Sequence, residues 1–262
     1  MAHAFLINLL QLIEYQLVGV AIFLPFEMLF PKAPLTAFQR AAGLTFLLAT
    51  ALATAVAGAV LMLVTLAFHI RPLFVLHAPF GPILAAVGLA LWADFQFYVL
   101  HRVEHRFLWR FHAVHHSVKN LSAANSYHHW TEAIWLALAG IPLMFVSIDW
   151  GQTLGWLTIM FHFQQFYIHT AAKPHFGPLR VLLVDNRYHR IHHSMEPAHH
   201  DKNFGAMTPL WDWLFGTMYM PKSAEWPEVG LKQIDQPDSL ADWSSLPWRY
   251  REPTPAQLAE ES

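Results

Sequence analysis

The chain has 262 residues, 55% of them hydrophobic and only 13% charged, with a formal net charge of −2. A soluble domain carries about 25% charged residues, so this composition points to a membrane protein; the net charge itself says little, and no nucleic-acid partner is expected. Cysteine is absent, which excludes disulfides, thiolate metal sites, iron–sulfur clusters and Cys-x-x-Cys redox chemistry, so any electrons the protein uses must arrive from another protein.

The first apolar run, Ala4 to Phe30, contains Glu14 and Glu27 and has neither a basic leader nor an A-x-A-like cleavage site; it reads as a retained membrane helix. Residues 4–26, 41–70 and 72–93 each meet the roughly 20-residue length of a helix crossing about 30 Å of hydrocarbon. Ala133 to Ile148 and Trp150 to Ile168 follow, separated only by Asp149. The first of these is 16 residues, about 24 Å of helix, so it either crosses a thinned bilayer or dips into it. In both cases the hairpin leaves and returns on one face, and the histidines before and after it can meet there.

Lys32, Arg40, Arg102, Arg106, Arg110, Lys119, Lys173, Arg180, Arg187 and Arg190 crowd that face, while the opposite face carries little beyond Arg71. By the positive-inside rule the histidine face is cytoplasmic and the N-terminus lies on the far side. The predicted fold is an all-α, multi-pass integral membrane protein: about four transmembrane helices plus a short or re-entrant hairpin element, with a cytosolic helical cap carrying the metal site. It reads as one membrane-embedded domain over 1–262, in which 221–262 form a peripheral C-terminal tail. Trp226, Trp243 and Trp248 in that tail either anchor it at the headgroups or pack into the cap, and the last ten residues read as frayed.

The chemistry is carried by histidine. His101-Arg-Val-Glu-His105 has the i, i+4 spacing that stacks two imidazoles on one helix face, and His112-Ala-Val-His115-His116 and His189-Arg-Ile-His192-His193 repeat the logic at i, i+3 and i+4. Eight imidazoles exceed what one tetrahedral ion can use, so two metals are expected. An all-nitrogen shell suits iron, copper or zinc by ligand type. Asp94, on the face of His101, reads either as the acceptor for a ligand histidine or as a boundary carboxylate paired with Arg102. His128, His199 and His200 are candidates to complete a shell that the spacing does not choose between. Glu132 and Asp185 orient ligands or form plain salt bridges, and the single histidines His3, His69, His77, His162 and His175 read as solvated or hydrogen-bonded without metal.

These ordered motifs, followed by Asp201-Lys-Asn203-Phe-Gly205 and Trp211-Asp212-Trp-Leu-Phe-Gly216-Thr217, resemble the fatty acid hydroxylase/sterol desaturase superfamily of integral membrane di-iron oxygenases. The resemblance runs from about Asp94 to Met220. Tyr167-Ile-His169-Thr is similar to the family's isolated histidine, and His129-Trp-Thr-Glu132 to its H-P-x-E segment, with Trp130 in place of proline. The resemblance implies two iron ions held by His101, His105, His112, His115, His116, His169, His189, His192 and His193, with His129, His128, His200, Asp94 and Asn203 as additional ligands or supports. Zinc can replace iron in purified samples, because it stands above Fe²⁺ in the affinity order. It further implies O₂ as co-substrate, an external electron-transfer protein or reductase as partner, and a membrane lipid that is hydroxylated or desaturated at an unactivated C–H. Phe95, Phe97, Phe161, Phe163 and Phe166 would line the lipid's route.

Two other readings compete. His101-x-x-Glu104-His105 satisfies the H-x-x-E-H pattern of a zinc protease, with Glu104 as general base, and the clusters would also suit a metal-binding or metal-transporting membrane protein. Dinucleotide, P-loop and G-x-S-x-G patterns are absent.

Overall fold

The computed structural model describes residues 2–76, 82–148, 153–222 and 224–251. The chain is mostly helical. Helix α1 (Ala2–Leu29) leads into a short α2 (Ala37–Ala41), whose start is fixed by a capping box in which Thr36 and Gln39 satisfy each other's backbone N–H. Helix α3 (Leu44–Ala67) returns against α1. A Cβ on Gly19 would collide with the Phe166 ring, so glycine is what allows α1 its close approach to the hairpin.

Helix α4 (Pro82–Phe107) is followed after one residue by α5 (Trp109–His116). The hairpin comprises α6 (Glu132–Gly140), a 3₁₀ turn (Ile141–Phe145), a strand and α7 (Thr153–Ile168). Helices α8 (Asn186–His192), α9 (Leu210–Leu214) and α10 (Leu240–Arg249) complete the cap.

Among the described residues, two segments are long and apolar enough to cross a membrane, Ala2–Leu29 and Ala37–Ala67. Helix α4 has the length, but its last two turns carry His101, Arg102, Glu104, His105 and Arg106, so only its first half suits lipid. The hairpin departs from the expected helix over Ala133–Ile148. Pro142 has no N–H to give to the Leu138 carbonyl, which Ile141 takes instead in a tighter turn, and α6 stops after 9 residues, or about 13 Å. Beyond the turn, Val146–Ile148 (β2) pairs in parallel with Phe74–Leu76 (β1), Val75 opposite Ser147. This element, three residues per strand, is a small addition to a mostly helical chain. Its residues sit inside longer apolar runs and have no separate signature.

Beneath the histidines a buried ion pair knots four segments together. Glu27 in α1 pairs with Arg40 in α2 at 3.3 Å, and its Oε1 accepts from the backbone N–H of Ala123 and of Ala171, at 3.1 and 2.6 Å. Arg40 donates in turn to the Ala33 carbonyl. The core above it joins Phe46 of α3, Val114 of α5, Tyr127, Phe166 of α7, and Trp243 and Leu246 of α10. Trp243 is therefore a packed core residue, while Trp248 is half exposed. The last ten residues and His77 lie outside the described residues.

Candidate metal centre

His101 and His105 project from the last turns of α4. Leu108, with φ −121° and ψ 18°, breaks the helix, and α5 turns back so that His112 and His116 face them. The Nε2 atoms of His101 and His112 are 3.1 Å apart, and those of His105 and His116 are 3.2 Å apart. His192 of α8 closes this group, and the five ligand-type nitrogens all lie within 4.8 Å of one another.

A second group joins His115, His169, His189 and His193. Nε2 of His169 lies 3.3 Å from that of His115 and 3.0 Å from that of His189, and His193 is 3.1 Å from His189. The spacing explains the division. Residues i and i+4 share a helix face, so His112 and His116 feed the first group and His189 and His193 the second. The remaining histidine of each H-x-x-H-H, His115 or His192, points roughly a quarter-turn away into the other group.

The hydrogen-bond roles decide what these contacts mean. His101 Nδ1 donates to the Phe204 carbonyl at 2.9 Å and His112 Nδ1 faces a Glu132 oxygen at 3.3 Å; in the second group, His115 donates to Tyr127 O and His169 to Gln165 O. A carbonyl or carboxylate oxygen accepts, so each neutral ring turns an Nε2 lone pair toward another lone pair. Such a contact repels unless a cation lies between. Two nitrogens about 2.1 Å from one ion and about 90–110° apart are separated by about 3.0–3.4 Å, the range observed in both groups. The buried Nε2 of His192 has no hydrogen-bond partner among the described residues. Both groups therefore fit a metal ion.

Burial, reinforced by neighbouring imidazoles, pushes His115, His116, His189, His192 and His193 well below the usual 6.5, and His169 to about 3, so all are neutral at pH 7, the form in which imidazole binds a metal. Glu104, 3.5 Å from His112 Nδ1, is shifted the opposite way: burial and then the charge of Glu132 raise its carboxyl above the ordinary carboxylate range. A carboxyl kept protonated is a poor general base, which counts against the protease reading of His101-x-x-Glu104-His105.

Several supports differ from expectation. Asp94 takes no hydrogen bond from a ligand histidine; it accepts from the N–H groups of Met207 and Thr208 and from the Thr208 hydroxyl, fixing the loop whose Phe204 carbonyl holds His101. His129 is turned away from the centre, with Nδ1 on Thr131 Oγ1 and Nε2 on the Ser244 carbonyl, and it packs against Trp243 and Trp248 of the cap. His200 is exposed and belongs to neither group. His128 stacks on His115 at 3.9 Å and forms, with His112 and Glu132, a third cluster beside the first.

Asn203, at φ 59°, bonds to Tyr188 O and to both backbone groups of Tyr219; the carbonyls on either side of it, Lys202 and Phe204, orient His192 and His101. Asp185 caps α8 through the N–H groups of Arg187 and Tyr188 and pairs with Arg180. Two supports escape sequence reasoning. Asp201 faces His105 Nδ1 at 3.2 Å, and Asp212 accepts from Phe204 N, Gly205 N, Tyr188 OH and Thr217 Oγ1. Their only signal was membership of the quoted motifs.

Two hollows reach the centre. An apolar cavity of about 360 Å³ runs between α1, α3, α4, α6 and α7, with His101, His112, His115, His169 and His189 in its wall. Phe97 and Phe166 line it, whereas Phe95 packs against Trp211 and Phe215. A polar hollow of about 480 Å³ opens at His105 among Arg102, Arg106, Trp109 and Asp201.

A helical membrane protein with two adjoining, buried, polyhistidine pockets at the head of an apolar cavity is thus defined. Residues 86–217, which contain all nine histidines of the two groups, match the fatty acid hydroxylase family, and the chain belongs to it. It is 34% identical over 149 residues to the ornithine lipid hydroxylase OlsE of Rhizobium tropici, covering 55% of this chain and 44% of that protein. It is also similar to alkylglycerol monooxygenase from Danio rerio (34% identical, 51% of this chain, 30% of that protein) and from Homo sapiens (32%, 48% and 29%). The chain thus spans less than half the length of these relatives. No solved structure matches.

Proposed function

We propose that the protein hydroxylates, or desaturates, an unactivated C–H position of a membrane lipid in an O₂-dependent reaction at a di-iron centre held by the nine histidines. The observation that carries this reading is the set of opposed Nε2 lone pairs in two adjoining pockets that share one apolar cavity. Iron bound there would supply O₂ activation and cleavage of a strong C–H bond. His101, His105, His112, His116 and His192 would hold one ion, and His115, His169, His189 and His193 the other. Phe204, Lys202, Tyr127, Gln165, Glu132 and Asp201 fix the ring tautomers through Nδ1, and Leu47, Phe97 and Phe166 keep the cavity dry and align an alkyl chain. The likeness to an ornithine lipid hydroxylase and to alkylglycerol monooxygenases supports a lipid substrate.

Hydroxylation consumes two electrons and two protons besides O₂, and the chain has no redox motif of its own. An external donor therefore docks on the exposed face, where Arg102 and Arg106 flank the hollow at His105. We further infer about four crossings, from α1, α3, the apolar half of α4 and the hairpin, with the centre at the cytoplasmic surface. A centre beside the ends of the apolar runs, rather than at their middle, disfavours transport. Comparing the lipids of cells with and without the gene product tests the function: a mass gain of one oxygen or a loss of two hydrogens is expected, and unchanged lipids would count against it.

A further inference from the structure

The cavity beside the centre is not lined by apolar groups alone. Gln16 of α1 and His162 and Gln165 of α7 share its wall with Leu12, Leu47 and Ala51. Thr50 and Thr54 also line it, but their hydroxyls donate to carbonyls one turn back, Phe46 at 2.9 Å and Thr50 at 3.0 Å. The glutamines have no such outlet: among the described residues neither Gln16 nor Gln165 makes a side-chain hydrogen bond. His162 donates Nε2–H to the Tyr15 carbonyl at 2.8 Å, one residue before Gln16, which leaves Nδ1 as an acceptor with no partner among the described residues. Amide and imidazole groups among membrane helices are costly unless something pairs with them, and by default they mark a ligand contact.

Their position relative to the histidines is set by α7. Gln165 precedes His169 by one turn, and its carbonyl accepts from His169 Nδ1. His162 lies three residues further back. At 1.5 Å per residue the two are about 6 and about 10 Å from His169 along the helix.

We propose that Gln16, His162 and Gln165 form a hydrogen-bonding subsite for a hydroxyl or amide N–H of the lipid, and so place the oxidised carbon close to that polar group rather than at a remote chain end. The proposal rests on the oxygenase reading and adds its substrate class. His162 supplies the chemical selectivity. An ether or ester oxygen only accepts and would leave Nδ1 unmet, whereas an O–H or amide N–H satisfies Nδ1, and the hydroxyl oxygen or the amide carbonyl can still accept from a glutamine amide. Leu12, Leu47 and Ala51 leave room for the alkyl chain.

The test uses the full chain, iron-loaded, in lipid nanodiscs under anaerobic conditions, with 1-O-hexadecylglycerol and its 2,3-di-O-methyl ether as matched probes. The free hydroxyl probe is expected to bind at least tenfold more tightly, within the roughly 5- to 150-fold that one unmet polar group is worth. Gln165→Leu and His162→Leu should abolish that preference while the metal content stays unchanged, and His162→Asn, which keeps an acceptor, should retain it. Equal affinity for the two probes, failure to bind the hydroxyl probe, or leucine variants that keep the preference would overturn the subsite. Turnover is scored separately after O₂ and a reductant are added. Preference without any oxidised product would leave the subsite standing and remove the oxygenase reading, and product oxygen far from the hydroxyl end would overturn the proposed regiochemistry.

Discussion

His101 and His112 point their Nε2 atoms at one another across 3.1 Å, while the Nδ1 of His101 is committed to the Phe204 carbonyl and that of His112 to Glu132. Two lone pairs at that distance are unfavourable in an empty protein and suited to one holding a cation. The same relationship recurs between His115 and His169, 3.3 Å apart.

Metal content should therefore fall in steps. Elemental analysis of the purified chain is expected to give about two ions, and His193→Ala or His101→Ala about one each, because each removes a nitrogen from a different pocket. A double variant should lose both. Retention of two ions by either single variant would contradict the division of the ligands.

His129→Ala separates a cap residue from a ligand. Losing its contacts to Thr131 Oγ1 and Ser244 O, together with its packing on Trp243, should cost about 2–3 kcal/mol by denaturant titration and leave the metal content at the wild-type level. Loss of an ion would restore His129 to the ligand set.

Asp212→Ala should act on the centre from a distance. The substitution strands the N–H groups of Phe204 and Gly205 and the Tyr188 hydroxyl, each worth about 1–3 kcal/mol when unmet, and loosens the loop that aims His101 and His192. Weaker metal retention against a chelator, without loss of helix content by circular dichroism, is the expected signature.

Glu104→Gln should keep a large part of the lipid-oxidising activity, since a protonated carboxyl and an amide are close in shape and charge. Complete loss, with proteolytic activity in the parent, would favour a zinc protease.

Acid should destabilise the metal-free protein. The buried histidines have folded-state pKa values below 6.5, so the unfolded chain takes up protons first, and the stability they contribute is present above about pH 6.5 and lost as pH falls. Each such histidine weakens folding by about 1.4 kcal/mol per pH unit below that point. Melting temperature should drop steadily from pH 7 to pH 5, and a flat profile would mean the rings are not buried in the neutral form.

Eight of the nine histidines were legible because ligand spacing and helical periodicity coincide, while His169, which stands alone, came only from the resemblance to the family. At i, i+3 and i+4, one helix serves two pockets, and the pattern survives in the bare sequence. The orienting carbonyls of Tyr127, Gln165, Lys202 and Phe204 were not legible, since every residue has one and only the folded loop aims it. Asp94 shows the same limit. Its place on the face of His101 was correct, but its partners lie more than a hundred residues away, at Met207 and Thr208. The short hairpin was expected, but the end of its first helix at Gly140 was not, because apolarity masked the effect of Pro142, and the pairing of Val75 with Ser147 joins segments whose composition suits a helix equally well.

The most direct test of the central claim is incubation of the iron-loaded full chain with a membrane lipid extract, a reductant chain and ¹⁸O₂. The account predicts oxidised lipid only when oxygen and electrons are both supplied, carrying one ¹⁸O atom if hydroxylated or lacking two hydrogens if desaturated. Product formed undiminished without oxygen, or carrying its new oxygen from water, would contradict it and return the choice to metal-assisted hydrolysis.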